Sequence, residues 1–359
     1  MADTDNRDTD HRDTDIGDTD ITGDHARRVT EWIAAHVPEL SPPLRFDVIE
    51  GGRSNLTYRV ADLAENTFAL RRPPLSGVLP SAHDMRREYR VITALGPTDV
   101  PVPETIGLCT DHDVLGADFY VMDFVTGVVV HDPQSSAALH VPARQAAGDD
   151  AVDSLLRLHQ VDPDSVGLGD LGRGNDYVAG QLRRWTGQVA SLPIEPIPGL
   201  IDMGEHLAAR VPPQHAVTIA HGDYRFGNLM LDPDGKVAAI LDWELCTRGD
   251  PLADLGWLLS YWSAPPGIER LPMDMPTTAP GFISRDEALA RYAASSDLPM
   301  DDVDFYIAFA YWKLGAVLAG VYSRSISGAY GDGQAQQRGL STEGISMLVA
   351  AAHASLGES

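Results

Sequence analysis

Four side chains with chemistry to offer lie close together in the stretch IAHGDYRFGNLMLDPDGKVAAILDWE: His221, Asp223, Asn228 and Asp242. A structural hairpin needs none of them. The Asn228 amide and the Asp242 carboxylate are hard oxygen ligands, suited to a Mg²⁺ held partly by protein and partly by substrate phosphates. Asp223 precedes Asn228 on a loop containing Gly222, within reach of a substrate hydroxyl proton near that metal. A base, a metal amide and a metal carboxylate form a layout for phosphoryl transfer.

Such groups need a scaffold that brings them to one place. The DPDG turn at 232–235, flanked by the apolar runs NLML and VAAIL, predicts an antiparallel hairpin. Pairing Leu231 with Val237 sets Asn228 opposite about Ile240, so the amide and Asp242 meet at the hairpin's open end.

Upstream, apolar spacing predicts a helix over 25–37. The runs RFDVIE, LTYRVA and TFALRR then read as a three-stranded antiparallel meander. A helix over 81–95 and strands near 104–108 and 119–124 follow. Between the first two strands, EGGRSN offers Gly51 and Gly52 for close backbone approach to phosphates, with Ser54 and Asn55 as donors. The period of two places Arg71 on one face of the third strand with Thr67 and Ala69. Glu88 shares the apolar helix face of Met85, Ile92 and Leu95, where a carboxylate is costly without a partner. Arg71 can be that partner. Beyond residue 127 the chain reads as helices, with two Pro-rich loops, LPIEPIPG and APPGIERLPMDMPTTAPG.

Together HGDYRFGN, ILDWE, GDPLADLGW, the glycine turn and FALRRP resemble the aminoglycoside phosphotransferase-like family, a branch of the protein-kinase-like fold. The runs LRRPP, REYRVITAL, FYVMDFVTG and LLRLHQVDP are similar to the subgroup containing the kinase-like domain associated with acyl-CoA dehydrogenases. The resemblance implies an α+β, two-lobed fold. Residues 1–24 would be an acidic tail, 25–127 a small antiparallel-sheet N-lobe binding nucleotide, and 128–359 a larger, mostly helical C-lobe carrying catalysis.

By the same resemblance Asp223 is the catalytic base, Asn228 and Asp242 bind Mg²⁺, His221 supports the catalytic loop, and Asp254 braces it by accepting backbone hydrogen bonds. Arg71 stands where protein kinases carry the lysine of V-A-I-K, paired with Glu88. The backbone at Asp123 and Val125 would read adenine. The implied activity is ATP- and Mg²⁺-dependent phosphorylation of a small-molecule hydroxyl, such as a hydroxyacyl-CoA. Two alternatives stand beside it: an aminoglycoside 3'-type phosphotransferase, and a catalytically silent nucleotide-binding protein, which the replacement of lysine by Arg71 would favour.

Composition narrows the setting. A formal net charge of −25 argues against nucleic acid as a partner, because phosphate backbones attract Lys and Arg. Cys109 and Cys246 stand far apart with no zinc or disulfide spacing, and no apolar run reads as a membrane span. With a polar, acidic start, this makes a cytoplasmic setting and no membrane association the expectation. The DTD repeats of residues 3–20 lack the apolar side chains that offset ordering entropy. His159 reads as a packed helix residue, and Trp257 and Trp312 as core or pocket wall.

Overall fold

The computed structural model describes residues 20–49, 55–75, 84–326 and 341–358. The chain divides into two compact units, Met1–Tyr89 with Glu104–Phe124, and Arg90–Pro103 with Val125–Ser359.

The first unit is built on five strands, β1 (Arg45–Val48), β2 (Leu56–Ala61), β3 (Thr67–Arg72), β4 (Thr105–Cys109) and β5 (Phe119–Asp123). They form one antiparallel sheet in the order β1-β2-β3-β5-β4. Residues two apart share a face, and the register sets Tyr58 opposite Leu70, Val60 opposite Phe68, and Leu70 opposite Val121. Helix α1 (Gly23–Ala34) adds Val29 and Ile33 to that cluster, giving the unit its core. Each such side chain, fully buried, contributes about 1.5–3 kcal/mol. The other face of β3 carries Ala69 and Arg71, with Thr57 opposite Arg71. Helix α2 (Met85–Leu95) begins in this unit, the Asp84 carboxylate accepting from the Arg87 N–H at 3.0 Å. A short helix, α3 (His112–Leu115), joins β4 to β5.

The second unit is mostly helical: α4 (Val141–Gln160), α5 (Tyr177–Ala190), α6 (Leu200–Ala208), α7 (Pro251–Ser260), α8 (Arg285–Ala294), α9 (Val303–Ile326) and α10 (Thr342–Ser355). Helix α9 is its axis and packs against α5, α6, α7 and α10. Here the expectation about apolar runs needs correction. By length and composition α9 is a helix that could span a bilayer, but 72% of its apolar 18-residue window is buried inside the protein, so its apolarity serves the core.

Two short ribbons carry the motif residues. β6 (Thr218–Ala220) pairs with β9 (Thr247–Gly249), and β7 (Leu229–Leu231) with β8 (Val237–Ile240), both antiparallel. The β7–β8 turn is closed by the Asp232 carboxylate, which accepts from Asp234 N–H and Lys236 N–H. Gly235 completes it at φ +86°, where a Cβ would collide with the Ala143 carbonyl of α4. The buried Asp150 of α4 accepts from Val237 N–H at 2.8 Å and ties the ribbon to the helices.

Candidate functional site

Leu231 pairs with Val237 as the turn predicts, and an irregularity between Met230 and Leu231 then shifts the ladder by one. Leu229 faces Ile240, and Leu241 N–H donates to the Asn228 carbonyl at 2.8 Å. Asn228 therefore stands opposite Leu241 rather than Ile240, still at the open end that Asp242 leaves. Asp242 sits at φ 67°, ψ 64°, a left-handed conformation that costs an ordinary residue about 1–2 kcal/mol. That bend ends β8 and leads into the short turn Trp243–Leu245.

The loop from His221 to Asp223 is fixed through its backbone. Asp254, in the first turn of α7, accepts from His221 N–H at 2.6 Å and from Gly222 N–H at 2.9 Å. The His221 ring is fully buried; its Nδ1 accepts from Asp223 N–H at 3.2 Å, so its proton is on Nε2, which donates to the Leu241 carbonyl at 3.0 Å. One imidazole thus joins the loop to the strand end beside Asp242. Burial pushes the Asp254 carboxyl up, but the His159 ring, His221 and the Gly222 N–H outweigh it and hold the group below its ordinary value. His159 lies in α4 with Nε2 3.5 Å from Asp254 and Nδ1 2.8 Å from the Tyr292 hydroxyl.

Asp223 keeps 20% of its side chain exposed, enough to meet a substrate. Its Oδ2 accepts from Asn228 Nδ2 at 2.8 Å, and the same nitrogen donates to the Asp223 carbonyl at 2.8 Å. These two bonds fix the amide orientation, so the Asn228 oxygen is the end able to ligate a cation. The Asp242 carboxylate, at the same end of the hairpin, is a second hard oxygen donor of the kind a Mg²⁺ would take together with phosphate oxygens and water. Among the described residues no group of three His, Cys, Asp or Glu is arranged to hold a metal.

Two groups that sequence reasoning did not assign hold the same carboxylate, and a third holds the residue before it. Asp223 Oδ1 accepts from Trp257 Nε1 at 2.8 Å and from Arg225 Nε at 3.3 Å. The Arg225 guanidinium lies over the Tyr261 ring, and a Cβ at Gly227 would run into it. Burial pulls its pKa down, yet Asp223, Tyr261 and Asp242 together raise it, so it stays a cation beside Asp223. Lys313, in mid-α9, donates to the Gly222 carbonyl at 3.1 Å. Its sequence signal was a single lysine inside an apolar helix, a placement that demands a partner.

In the first unit Arg71 Nε donates to Glu88 Oε2 at 3.1 Å, and its Nη1 to Thr57 Oγ1 at 3.3 Å. Glu88 is 1% exposed, so the pairing expected from its helix face is made in a buried setting. Asn55 is buried at the start of β2; Gly51, Gly52 and Ser54 lie outside the described residues. Asp123 ends β5 with its N–H donated to the Glu104 carbonyl at 2.8 Å. Val125 opens the second unit.

A family model described as the phosphotransferase enzyme family matches residues 45–275. Acyl-CoA dehydrogenase family member 10 of Mus musculus is 35% identical over 310 residues, which are 85% of this chain and 29% of that protein. The chain thus spans less than a third of that relative's length. Among solved structures, a protein from Ralstonia eutropha JMP134 described as a candidate aminoglycoside phosphotransferase is 31% identical, with a TM-score of 0.77 over 93% of this chain and 98% of that one. The GDP complex of aminoglycoside 2'-phosphotransferase-IIIa, 14% identical, has a TM-score of 0.61 over 91% of this chain and 98% of that one. Both structures share with this chain the α+β protein-kinase-like fold that the motifs imply.

Proposed function

The chain belongs to the phosphotransferase enzyme family, and from that premise we propose that it is an ATP- and Mg²⁺-dependent small-molecule kinase with Asp223 as its base. The observation carrying this reading is the Asp223 carboxylate, oriented by Asn228 and mounted on a loop that Asp254 and His221 lock. Oδ1 already has two donors, so Oδ2 is the atom proposed to take the acceptor's proton. The freed oxygen forms a bond to the γ-phosphorus as the bond to the β-phosphate oxygen breaks, releasing ADP. Mg²⁺, when bound to the Asn228 amide oxygen and Asp242, offsets phosphate charge. Arg71, held by Glu88, is proposed to take the phosphate charge that lysine takes in protein kinases, and the Asp123 carbonyl and Val125 N–H to read adenine.

For the acceptor we favour a hydroxyl-bearing acyl-CoA or related metabolite. The acyl-CoA dehydrogenase name of the Mus musculus relative supports it. So does Arg225 beside Asp223, a cation that suits an anionic acceptor better than a polycationic aminoglycoside. The test is incubation with MgATP and a panel of hydroxyacyl-CoAs, hydroxy acids and aminoglycosides, following ADP release and phosphorylated product. Phosphorylation of aminoglycosides alone would overturn the acceptor assignment.

A further inference from the structure

We propose that Lys313 is a positioning residue for Asp223, acting through Trp257 and the Gly222 carbonyl. Lys313 lies in the stretch of α9 from Phe305 to Ala316, every member of which is buried. A methionine would fill similar space there without taking an ammonium out of water. What the lysine adds is a charge and a set of donors, and both point at one place. Nζ donates to the Gly222 carbonyl at 3.1 Å and stands 4.6 Å from the centroid of the Trp257 ring. A cation over an indole face is drawn to the ring quadrupole, which fixes the ring. The edge of that ring presents Nε1 to Asp223 Oδ1 at 2.8 Å.

The residue before Asp223 is therefore held at both its polar groups. Its N–H is given to Asp254 and its carbonyl is met by Lys313, while φ stays at +85°. Burial pulls the Lys313 ammonium below its ordinary value, aided by Arg184 and opposed by Asp223 and Asp254, which favour the charged form. The lysine touches no reacting atom on this account; it sets the angle of the carboxylate that does.

This inference rests on Asp223 being the base, and the experiment separates the two claims. Lys313→Met, Trp257→Phe and the double variant are assayed with MgATP and an accepted hydroxyl substrate. Each single change is expected to lower kcat by about 10- to 100-fold, the scale of a small misplacement, with KM for the nucleotide within about twofold of wild type. The double variant is expected to be no slower than the slower single, because both act through one contact. Wild-type kcat in Lys313→Met, or losses that multiply in the double, would overturn the proposal. Crystal structures decide it apart from turnover: in Lys313→Met the Trp257 Nε1 should leave hydrogen-bond distance of Asp223, and finding it still in place refutes the positioning role. Should Lys313→Met fail to fold, unchanged kcat in Trp257→Phe refutes it equally. Transfer that does not depend on Asp223 would instead count against the base assignment.

Discussion

Replacing Asp254 by Asn tests how much of the site depends on one buried carboxylate. Asp254 accepts from two consecutive backbone N–H groups, at 2.6 Å from His221 and 2.9 Å from Gly222. Hydrogen bonds to a charged acceptor contribute about 1.5–3 kcal/mol each, and an asparagine oxygen can keep one without the charge. The second N–H then faces an amide NH₂, a donor against a donor, at a cost of about 1–3 kcal/mol for the buried group left unsatisfied. The expected loss is about 2–5 kcal/mol, or about 5–15 °C in melting temperature for a unit of this size. Hydrogen exchange gives the local reading: the His221 and Gly222 amides should lose protection before the rest of the second unit does. The sign with pH follows from the folded carboxyl titrating below its unfolded value of 3.8. Its contribution is complete above that value and is lost as pH falls through the lower, folded value, so Asp254→Asn should remove that part of the acid limb of the stability curve. Melting within about 1 °C of wild type, with both amides still protected, would refute the bracing argument.

Two further perturbations follow from the geometry. Glu88→Ala takes from Arg71 a carboxylate that is 1% exposed, so denaturant unfolding should show a loss of about 3–5 kcal/mol and titration with MgADP weaker binding; unchanged values would remove Arg71 from the proposed phosphate role. Gly222→Ala puts a Cβ 2.9 Å from the Leu245 carbonyl at φ +85°, which should cost at least about 1–2 kcal/mol and disturb Asp223; a variant as stable and as active as wild type would contradict the structure of this loop.

The parts of the fold and site that local spacing dictates were legible in the sequence. The DPDG turn named the β7–β8 ribbon, and helical spacing put Glu88 on a buried face where Arg71 meets it. Asn228 came one position off its strand partner because the irregularity after Met230 breaks the alternation that simple counting assumes. Long-range partners were hidden for a different reason. Lys313 lies on α9, far along the chain from Gly222, and only tertiary packing turns its anomaly in an apolar helix into a contact. Trp257 was visible as a large side chain, but nothing local aims its N–H at Asp223. The length and apolarity of α9 gave no sign that the helix is an internal axis, since core and membrane helices share both properties.

The most direct measurement of the central claim is ADP release and phosphorylated product from the purified chain with MgATP and the acceptor panel, run beside Asp223→Ala. Removing a general base costs about 10²–10⁴-fold, so the variant should fall by that factor while binding MgADP as the wild type does. Equal turnover by the two proteins, or no turnover by the wild type with any acceptor, would contradict the account.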